Sequence, residues 1–399
     1  MKSAALTTSG YGCHARLTVD ALLSQPENFD VYVFPEDWGQ TSWLFEGHPD
    51  QERFINIVKK TSDYVQSGGT FDVSLQVTIP NRFERITPVN IGVTAGIECN
   101  HVSPQWLEKS NVMDKIITVS SFGKQGFTGT NYAARRPDGS EFKLELTRPI
   151  DVIGYPVEDR TPDPATLELD FGTKFNFFTV AQWGPRKNLP SIITWFAEEF
   201  HDQDVGLVVK VNFKTNSMMD KLECEKAVRH LLSGYENRKC KVHLVHGDMT
   251  DEEMRALFVH PQIKAYVCLS TGEGYGLGVF EAAYTGLPVI APEWSGYLDF
   301  LYLKDGKKLK PAFARVDYKL DVVAPDAIWP GVIEEGTMWA YPQQGSFKMR
   351  LREVYKDYDR FRSQAKKLAE QVKVDFSKDK IYGMYCDSVR EFSSTSVEL

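Results

Sequence analysis

Short apolar runs alternate along the chain with longer stretches in which apolar residues recur every three or four positions. In the first part of the chain the apolar runs are FDVYVF (29–34), FDVSLQVTI (71–79), VNIGVTAG (89–96) and KIITVS (115–120). Their length and their β-branched content predict strands, and the stretches between them fit helices. Alternating strands and helices are typical of parallel sheets covered by helices, so this part is predicted to be an α/β domain.

The same alternation resumes after residue 170. The predicted strands are FNFFTVA (175–181), GLVVKVNF (206–213), KVHLV (241–245), KAYVCLS (264–270) and LPVIAP (287–292). Helices are predicted to open at Asn188 or Pro190 and to span about Ser217–Leu232, Thr250–Phe258 and Gly276–Tyr284. This second set of elements predicts a second doubly wound α/β domain.

A stretch rich in proline and acid, from Tyr155 to Asp170, has little apolar periodicity and is interpreted as a linker. It divides the chain into predicted domains at 1–160 and 171–345, followed by a segment at 346–399. Residues 346–371 predict one charged amphipathic helix, which can bury its apolar stripe only against another element. Two open α/β sheets whose carboxyl ends face each other would form a ligand cleft.

Composition narrows the classes of function. The 399 residues carry 46 Lys plus Arg against 54 Asp plus Glu, a formal charge of -8, so nucleic acid is not expected as a partner. The six cysteines are scattered, and His243 and His246 would face opposite sides of a strand, so no metal site is predicted. Without a leader, a sequon or about 18 consecutive apolar residues, the chain is expected to be cytoplasmic.

The sharpest motif is TGEGYGLGVFEAAYTGLPVIAP, at 271–292. Its glycines form a pliant turn after a predicted strand, and the free N–H groups of the following helix suit a phosphate. Glu273 and Glu281 can reach the same cleft mouth, where carboxylates accept hydrogen bonds from sugar or ribose hydroxyls. A glycine-rich turn with two solvated glutamates is the alternative. The spacing is not G-x-G-x-x-G, which disfavours a nicotinamide-dependent dehydrogenase.

This segment resembles the E-x7-E signature of retaining glycosyltransferases of the GT-B fold, in glycosyltransferase family 4. The pieces of the family motif occur here in the same order, as Glu273-Gly274-Tyr275-Gly276-Leu277, Glu281-Ala282, Gly286 and Pro288-Val289-Ile290-Ala291. The resemblance implies that Glu273 binds the donor sugar and Glu281 the ribose of the nucleotide. It also implies that the donor diphosphate contacts the turn, at Tyr275, Gly276, Leu277 and Gly278.

A second motif, AQWGPRKNLPSII at 181–193, also follows a strand and precedes a helix. Arg186 and Lys187 there would neutralise a pyrophosphate and the charge that develops as it leaves, unless they are simply solvated. The family has an arginine five residues before this lysine, whereas this chain has Gln182, so Arg186 is the expected substitute. Lys210, on the next strand, is a further donor-binding candidate, with an ordinary strand-end lysine as the alternative.

The remaining candidates rest on position more than on a tight motif. Gly10-Tyr11-Gly12 resembles the family's glycine loop that touches the donor phosphate or the acceptor, although many glycine turns serve geometry alone. Glu98 and His101 follow the strand VNIGV, where the family places an acid or histidine near the reacting carbon. Gly247 and Met249 follow the strand KVHLV, where relatives bind the nucleotide base.

The resemblance therefore implies a GT-B fold, with two doubly wound Rossmann-like domains facing across a cleft and a C-terminal helix crossing back to the first domain. It implies a retaining transfer of sugar from a UDP- or GDP-linked donor to a hydroxyl of a glycan, glycoprotein or lipid-linked acceptor, without metal or other cofactor. A lipid-linked acceptor would bring the enzyme to a membrane face. A GT-B phosphorylase and a non-catalytic nucleotide- or glycan-binding protein are the alternatives.

Overall fold

The chain folds into two compact units. A computed structural model describes residues 1–39, 41–44, 47–158 and 166–393. The first unit comprises Met1–Pro156, Ile328–Thr337 and the chain from Phe376 onward, and the second comprises Val157–Ala327 and Met338–Asp375. Part of the predicted linker, residues 159–165, lies outside the described residues.

The first unit is built on a six-stranded parallel sheet in the order β2-β1-β3-β4-β5-β8. The sheet strands are β1 (Lys2–Ser3), β2 (Phe34–Pro35), β3 (Val73–Val77), β4 (Val89–Thr94), β5 (Lys115–Thr118) and β8 (Ile150–Val152), and β6 (Asn131–Arg135) and β7 (Glu141–Glu145) form a hairpin. Its helices are α1 (Gly10–Leu23), α2 (Gln51–Gln66), α3 (Pro104–Asn111), α4 (Ser121–Thr128) and α11 (Lys378–Ser393).

Helix α11 completes the core of the first unit. Its Ile381, Tyr385 and Val389 join the buried apolar cluster that includes residues of α1 and of the central strands. The hydroxyl of Tyr385 lies 2.9 Å from Nε2 of the buried His14. Part of the core of the first unit is therefore formed by α11, the last described helix of the chain.

The second unit contains a six-stranded parallel sheet in the order β11-β10-β9-β12-β13-β16, the order of a Rossmann domain. Its sheet strands are β9 (Asn176–Gln182), β10 (Gly206–Asn212), β11 (Lys241–Val245), β12 (Ile263–Val267), β13 (Val289–Pro292) and β16 (Ala314–Val316), and its hairpins are β14 (Tyr302–Asp305) with β15 (Lys308–Pro311) and β17 (Tyr318–Val322) with β18 (Met338–Pro342). Its helices are α5 (Leu189–Glu199), α6 (Met218–Leu232), α7 (Asp251–Val259), α8 (Leu277–Thr285), α9 (Gln344–Lys356) and α10 (Tyr358–Asp375).

The strand order of the second unit reverses between β9 and β12. The chain runs from β9 outward to β10 and β11, then returns to β12 on the other side of β9. Loops leaving the carboxyl ends of such a neighbouring pair diverge and open a crevice, where ligands of these sheets bind. The loop after β9 carries Arg186 and Lys187, and the loop after β12 carries Glu273. The topology thus brings the two main sequence motifs to one crevice.

Two expectations about the elements are wrong. Only Phe34 of the run FDVYVF lies in a strand, the two-residue β2, whose parallel partner β1 is itself two residues long. The tail predicted as one helix is two, α9 and α10, separated at Asp357, whose backbone is not helical (φ -118°, ψ 43°).

The predicted C-terminal segment, 346–399, also divides differently from the expectation. Phe347, Leu351 and Val354 of α9 belong to the core of the second unit, and α10 contacts α8. Only the chain from Phe376 onward belongs to the first unit. None of the helices in the described part of the chain is long and apolar enough to cross a membrane.

Candidate functional site

The turn after β12 depends on two glycines that tolerate no side chain. Gly276 has a positive φ of 87° and is the N-cap of α8, and a Cβ there would lie 3.0 Å from the ring of Tyr297. A Cβ on Gly278 would lie 2.3 Å from the hydroxyl oxygen of Tyr266, closer than such atoms approach. The first turn of α8 therefore packs closely on two buried tyrosines. Its backbone N–H groups supply the positive end of the helix dipole at the crevice.

Glu273 forms the centre of the site. Its side chain is buried, and its two carboxylate oxygens pair with different cations. Arg186 Nη1 lies 2.9 Å from Oε2, and Lys187 Nζ pairs with Oε1. Arg186 Nη1 also donates to the carbonyl oxygen of Gly272 at 2.7 Å. The structure thus brings together the three residues that the sequence analysis assigned to sugar and diphosphate binding.

The two cations keep Glu273 ionised. Burial alone raises the pKa of this carboxyl, but the charges of Arg186 and Lys187, with hydrogen bonds from Lys187 and Ser270, outweigh it and lower the pKa to about 2. The group is therefore an acceptor of hydrogen bonds at neutral pH and not a proton donor. With two cations and one carboxylate, this cluster carries a net positive charge beside the start of α8.

The loop after β9 is fixed to the turn after β12. Arg186 and Lys187 end a short 3-10 turn, and the N–H of Thr271 donates to the carbonyl oxygen of Arg186 at 2.9 Å. Gln182, which occupies the family's usual arginine position, donates instead to the carbonyl oxygen of Phe213 at 2.8 Å. The positive charge at Glu273 is therefore supplied by adjacent residues of one loop.

Glu281 differs electrostatically from Glu273. It lies on α8, and burial raises the pKa of its carboxyl to about 7, helped by the charge of Asp251 and opposed by Arg255. Near neutral pH a carboxyl of this kind exists in both protonation states, so it both donates and accepts hydrogen bonds. The two glutamates of the E-x7-E motif thus differ in charge at the same pH.

A small cavity of about 40 Å³ lies beneath the turn. Its lining includes Lys187, Ser270, Glu273, Gly276 and Gly278. The lining joins the two loops of the crevice, the loop after β9 through Lys187 and the loop after β12 through Glu273.

The other donor candidates of the second unit lie at the ends of β10 and β11. The Lys210 ammonium donates to the carbonyl oxygen of Gly247, and Met249 follows in the same loop. Burial lowers the pKa of Lys210. Because its ammonium donates a hydrogen bond to the backbone of this loop, Lys210 helps to fix the conformation of the loop.

Asp220, Cys224 and His246 form, among the described residues, a group whose atoms could hold a metal ion. Asp220 is already occupied, since it accepts hydrogen bonds from the backbone N–H groups of residues 213–215 and lies 2.8 Å from His246 Nε2. The pKa of Asp220 is lowered well below its usual range, because these donors outweigh its burial. The group therefore anchors the loop after β10.

The strand order of the first unit reverses between β1 and β3, and the candidates of this unit lie in the segments that follow β1 and β4. Gly10 and Tyr11 begin α1, and a Cβ on Gly12 would lie 2.1 Å from the carbonyl oxygen of Thr7, so Gly12 serves close packing. The Tyr11 hydroxyl lies 3.0 Å from Thr94 Oγ1 at the end of β4.

Glu98 and His101 lie in the loop after β4. Burial raises the pKa of Tyr11 to about 12, and the charge of Glu98 acts in the same direction, which places Glu98 near Tyr11. The side chain of His101 is exposed. Tyr11 and Glu98 are thus brought together within the first unit, and their predicted roles toward sugar or acceptor stay predictions.

Sequence reasoning missed three residues that support the site. Ser270 bonds to the Glu273 carboxylate, Ser295 accepts from the Glu273 backbone N–H at 3.0 Å, and Asp220 fixes the loop after β10. The available signals were weak: Ser270 ends the run KAYVCLS, and Ser295-Gly296 follows the run LPVIAP. Polar residues just after strands of a parallel sheet are candidates for its ligand edge.

Comparisons with known proteins agree with the fold. Residues 206–381 match the model of a family described as "Family 4 Glycosyltransferase in conflict systems". Among solved structures, sucrose-phosphate synthase from Thermosynechococcus elongatus superposes with a TM-score of 0.64 at 13% identity, covering 97% of this chain and 94% of that one. Anabaena HepE, solved with UDP and glucose, gives a TM-score of 0.60 at 13% identity and 98% coverage of both chains. No curated protein matches the chain in sequence.

The structural matches define the fold as GT-B. More narrowly, the resemblance to glycosyltransferase family 4 is confirmed over residues 206–381, a stretch that includes the E-x7-E segment with Glu273 and Glu281.

Proposed function

We propose that the chain is a retaining glycosyltransferase that moves a sugar from a UDP- or GDP-linked donor to a hydroxyl of a glycan or glycoconjugate, without a metal ion. The observation that carries the proposal is the ionised Glu273 held between Arg186 and Lys187 at the start of α8. The HepE structure, solved with UDP and glucose, supports a UDP-linked donor.

In this mechanism the donor diphosphate lies against the first turn of α8, where N–H groups and two cations attract it. Glu273 accepts hydrogen bonds from the hydroxyls of the donor sugar and orients it, and Glu281 binds the ribose. The acceptor oxygen bonds to the anomeric carbon on the face from which the diphosphate leaves. The bond from that carbon to the diphosphate oxygen breaks, and the acceptor proton passes to that oxygen. Arg186 and Lys187 stabilise the charge that develops there.

The first test is thermal stabilisation by UDP, GDP, ADP and TDP, by their sugars and by NAD, because a ligand that binds only the folded state raises the melting temperature. We expect a shift with one nucleoside diphosphate and its sugar that is lost in Glu281→Ala. No shift with any nucleotide, or a shift with NAD alone, would contradict a nucleotide-sugar donor.

The second test is transfer itself, with the stabilising nucleotide sugar and a panel of glycan acceptors. Lys187→Ala should lower kcat by about 10²-fold, as for loss of one group that stabilises a developing anion. Lys226→Ala, at an exposed lysine of α6, is the matched control and should leave kcat unchanged. The proposal also expects retained anomeric configuration by NMR and undiminished turnover in EDTA.

The same assays separate the alternatives. Cleavage of a glycoside that requires inorganic phosphate would favour a phosphorylase. Nucleotide binding without product under every pairing of donor and acceptor would favour a binding protein.

A further inference from the structure

A buried serine beyond β13 has a backbone conformation that serine rarely adopts. Ser295 has φ 135° and ψ -179° and is 2% exposed. This region of backbone space is essentially reserved for glycine, and other residues persist there only when their surroundings hold them. Residues with such strained backbone angles cluster at functional sites, so the contacts of Ser295 can show which site it supports.

The contacts of Ser295 lead directly to Glu273. The backbone N–H of Glu273 donates to Ser295 Oγ at 3.0 Å, and the N–H of Gly296 donates to the carbonyl oxygen of Glu273 at 2.9 Å. Both backbone polar groups of Glu273 are thus bound by two consecutive residues of the neighbouring strand-end loop. We call Ser295, Gly296 and Tyr297 the brace.

The brace is itself fixed in the interior. The side chains of Ser295 and Tyr297 share a hydrogen bond, and the Tyr297 hydroxyl donates to the carbonyl oxygen of Pro292 at 3.1 Å. Tyr297 is fully buried, and its ring is the group that a Cβ on Gly276 would meet at 3.0 Å. The brace therefore contacts both Glu273 and the first residue of the α8 turn.

The turn needs such support because its own sequence is pliant. Glu273 is flanked by Gly272 and Gly274, and glycine restricts the backbone least of all residues. Arg186 and Lys187 form ion pairs with the Glu273 carboxylate, but their side chains are long and about one quarter exposed. In the proposed reaction both cations also bind the diphosphate. The contacts that hold Glu273 throughout the reaction are therefore those of the brace.

We propose that Ser295 is a positioning residue: its Oγ, held by a glycine-type backbone conformation, fixes the Glu273 backbone so that the carboxylate meets the hydroxyls of the donor sugar. This inference rests on the proposed function of the site. It assigns to Ser295 no contact with the substrate.

The test uses two variants that lose the same hydrogen bond but differ in strain. S295A keeps a Cβ in the glycine region, whereas S295G relieves it and should have a melting temperature a few degrees above that of S295A. We expect kcat to fall about tenfold in both variants, since a small misplacement of a catalytic group is costly. The Kd for the nucleoside diphosphate should stay within twofold, because neither substitution removes a contact of Arg186, of Lys187 or of the first turn of α8, which bind the diphosphate in the proposed reaction.

A merely structural role predicts a different pattern. Activity would then follow the melting temperature, so recovery of kcat in S295G, or an unchanged kcat in both variants, would overturn the proposal. S346A is the matched control, because Ser346 is also buried in the second unit and its Oγ accepts the backbone N–H of Asp317 at 2.9 Å. It should leave kcat within twofold.

A measurement that needs no activity separates this inference from the proposed function. The Glu273 amide should exchange with deuterium at least tenfold faster in S295A than in the wild type, and S346A should leave it unchanged. If the wild type transfers no sugar, the transferase proposal fails, and the positioning role of Ser295 in it is overturned as well. If transfer occurs and the exchange rate is the same in all three proteins, only the inference about Ser295 is refuted.

Discussion

Replacing Glu273 by glutamine should destabilise the protein in a pH-dependent way. The pKa of Glu273 is about 2 in the folded chain against an ordinary value of 4.5. Each step of one in pKa corresponds to 1.36 kcal/mol, so the lowering amounts to about 3 kcal/mol of stability at neutral pH. Glutamine keeps the size of the side chain but leaves Arg186 and Lys187 facing each other without their carboxylate.

The sign follows from the direction of the pKa shift. A carboxyl whose folded pKa is lowered contributes its full stability above pH 4.5 and loses it as the pH falls toward 2. The difference in unfolding free energy between wild type and Glu273→Gln should therefore be about 3 kcal/mol at pH 7 and about 2 kcal/mol at pH 3.5.

Urea unfolding followed by circular dichroism between pH 3.5 and pH 8 measures this difference. The exposed Glu236 of the same unit supplies the control, and Glu236→Gln should change stability by less than about 0.5 kcal/mol throughout. A difference between wild type and Glu273→Gln that stays constant with pH, or grows toward acid, would refute the electrostatic account of this cluster.

Two further predictions concern the supports of the crevice. Gly278→Ala should lower the free energy of unfolding in urea by about 1–3 kcal/mol, because the new Cβ meets the Tyr266 hydroxyl. The loss should be smaller when Tyr266→Phe is also present, and an equal loss in both backgrounds would contradict this contact. Asp220→Asn should lower the free energy of unfolding by a similar amount, because it weakens the acceptor of three backbone N–H groups. An unchanged urea midpoint would show that the loop after β10 does not depend on Asp220.

Much of the second unit is visible in the sequence because its strands are buried apolar runs and its helices begin at recognisable caps. Ser217 and Thr250, for instance, cap α6 and α7 through their side chains, close to the predicted starts. The break at Asp357 is hidden for a physical reason. The buried Val354 and Phe361 stand seven residues apart, so the apolar period of a helix continues across a backbone that is not helical.

The candidate site shows a similar division. Arg186, Lys187 and Glu273 could each be singled out, because each lies in a glycine-containing loop directly after a predicted strand. Their pairing could not, since 86 residues separate Lys187 from Glu273 and only the strand order makes them neighbours. The contacts of Ser295 with Glu273 could not be predicted either, because no sequence pattern indicates that a serine adopts the backbone angles of glycine.

The assignment of α11 to the first unit has a consequence for synthesis of the chain. A ribosome releases the first 156 residues long before it makes Ile381, Tyr385 and Val389, which belong to the same buried cluster. Until then the nascent sheet lacks part of its cover, and contacts as distant in sequence as His14 with Tyr385 must close a loop of nearly the whole chain. The core of the first unit is therefore completed only after every residue of the second unit has been synthesised.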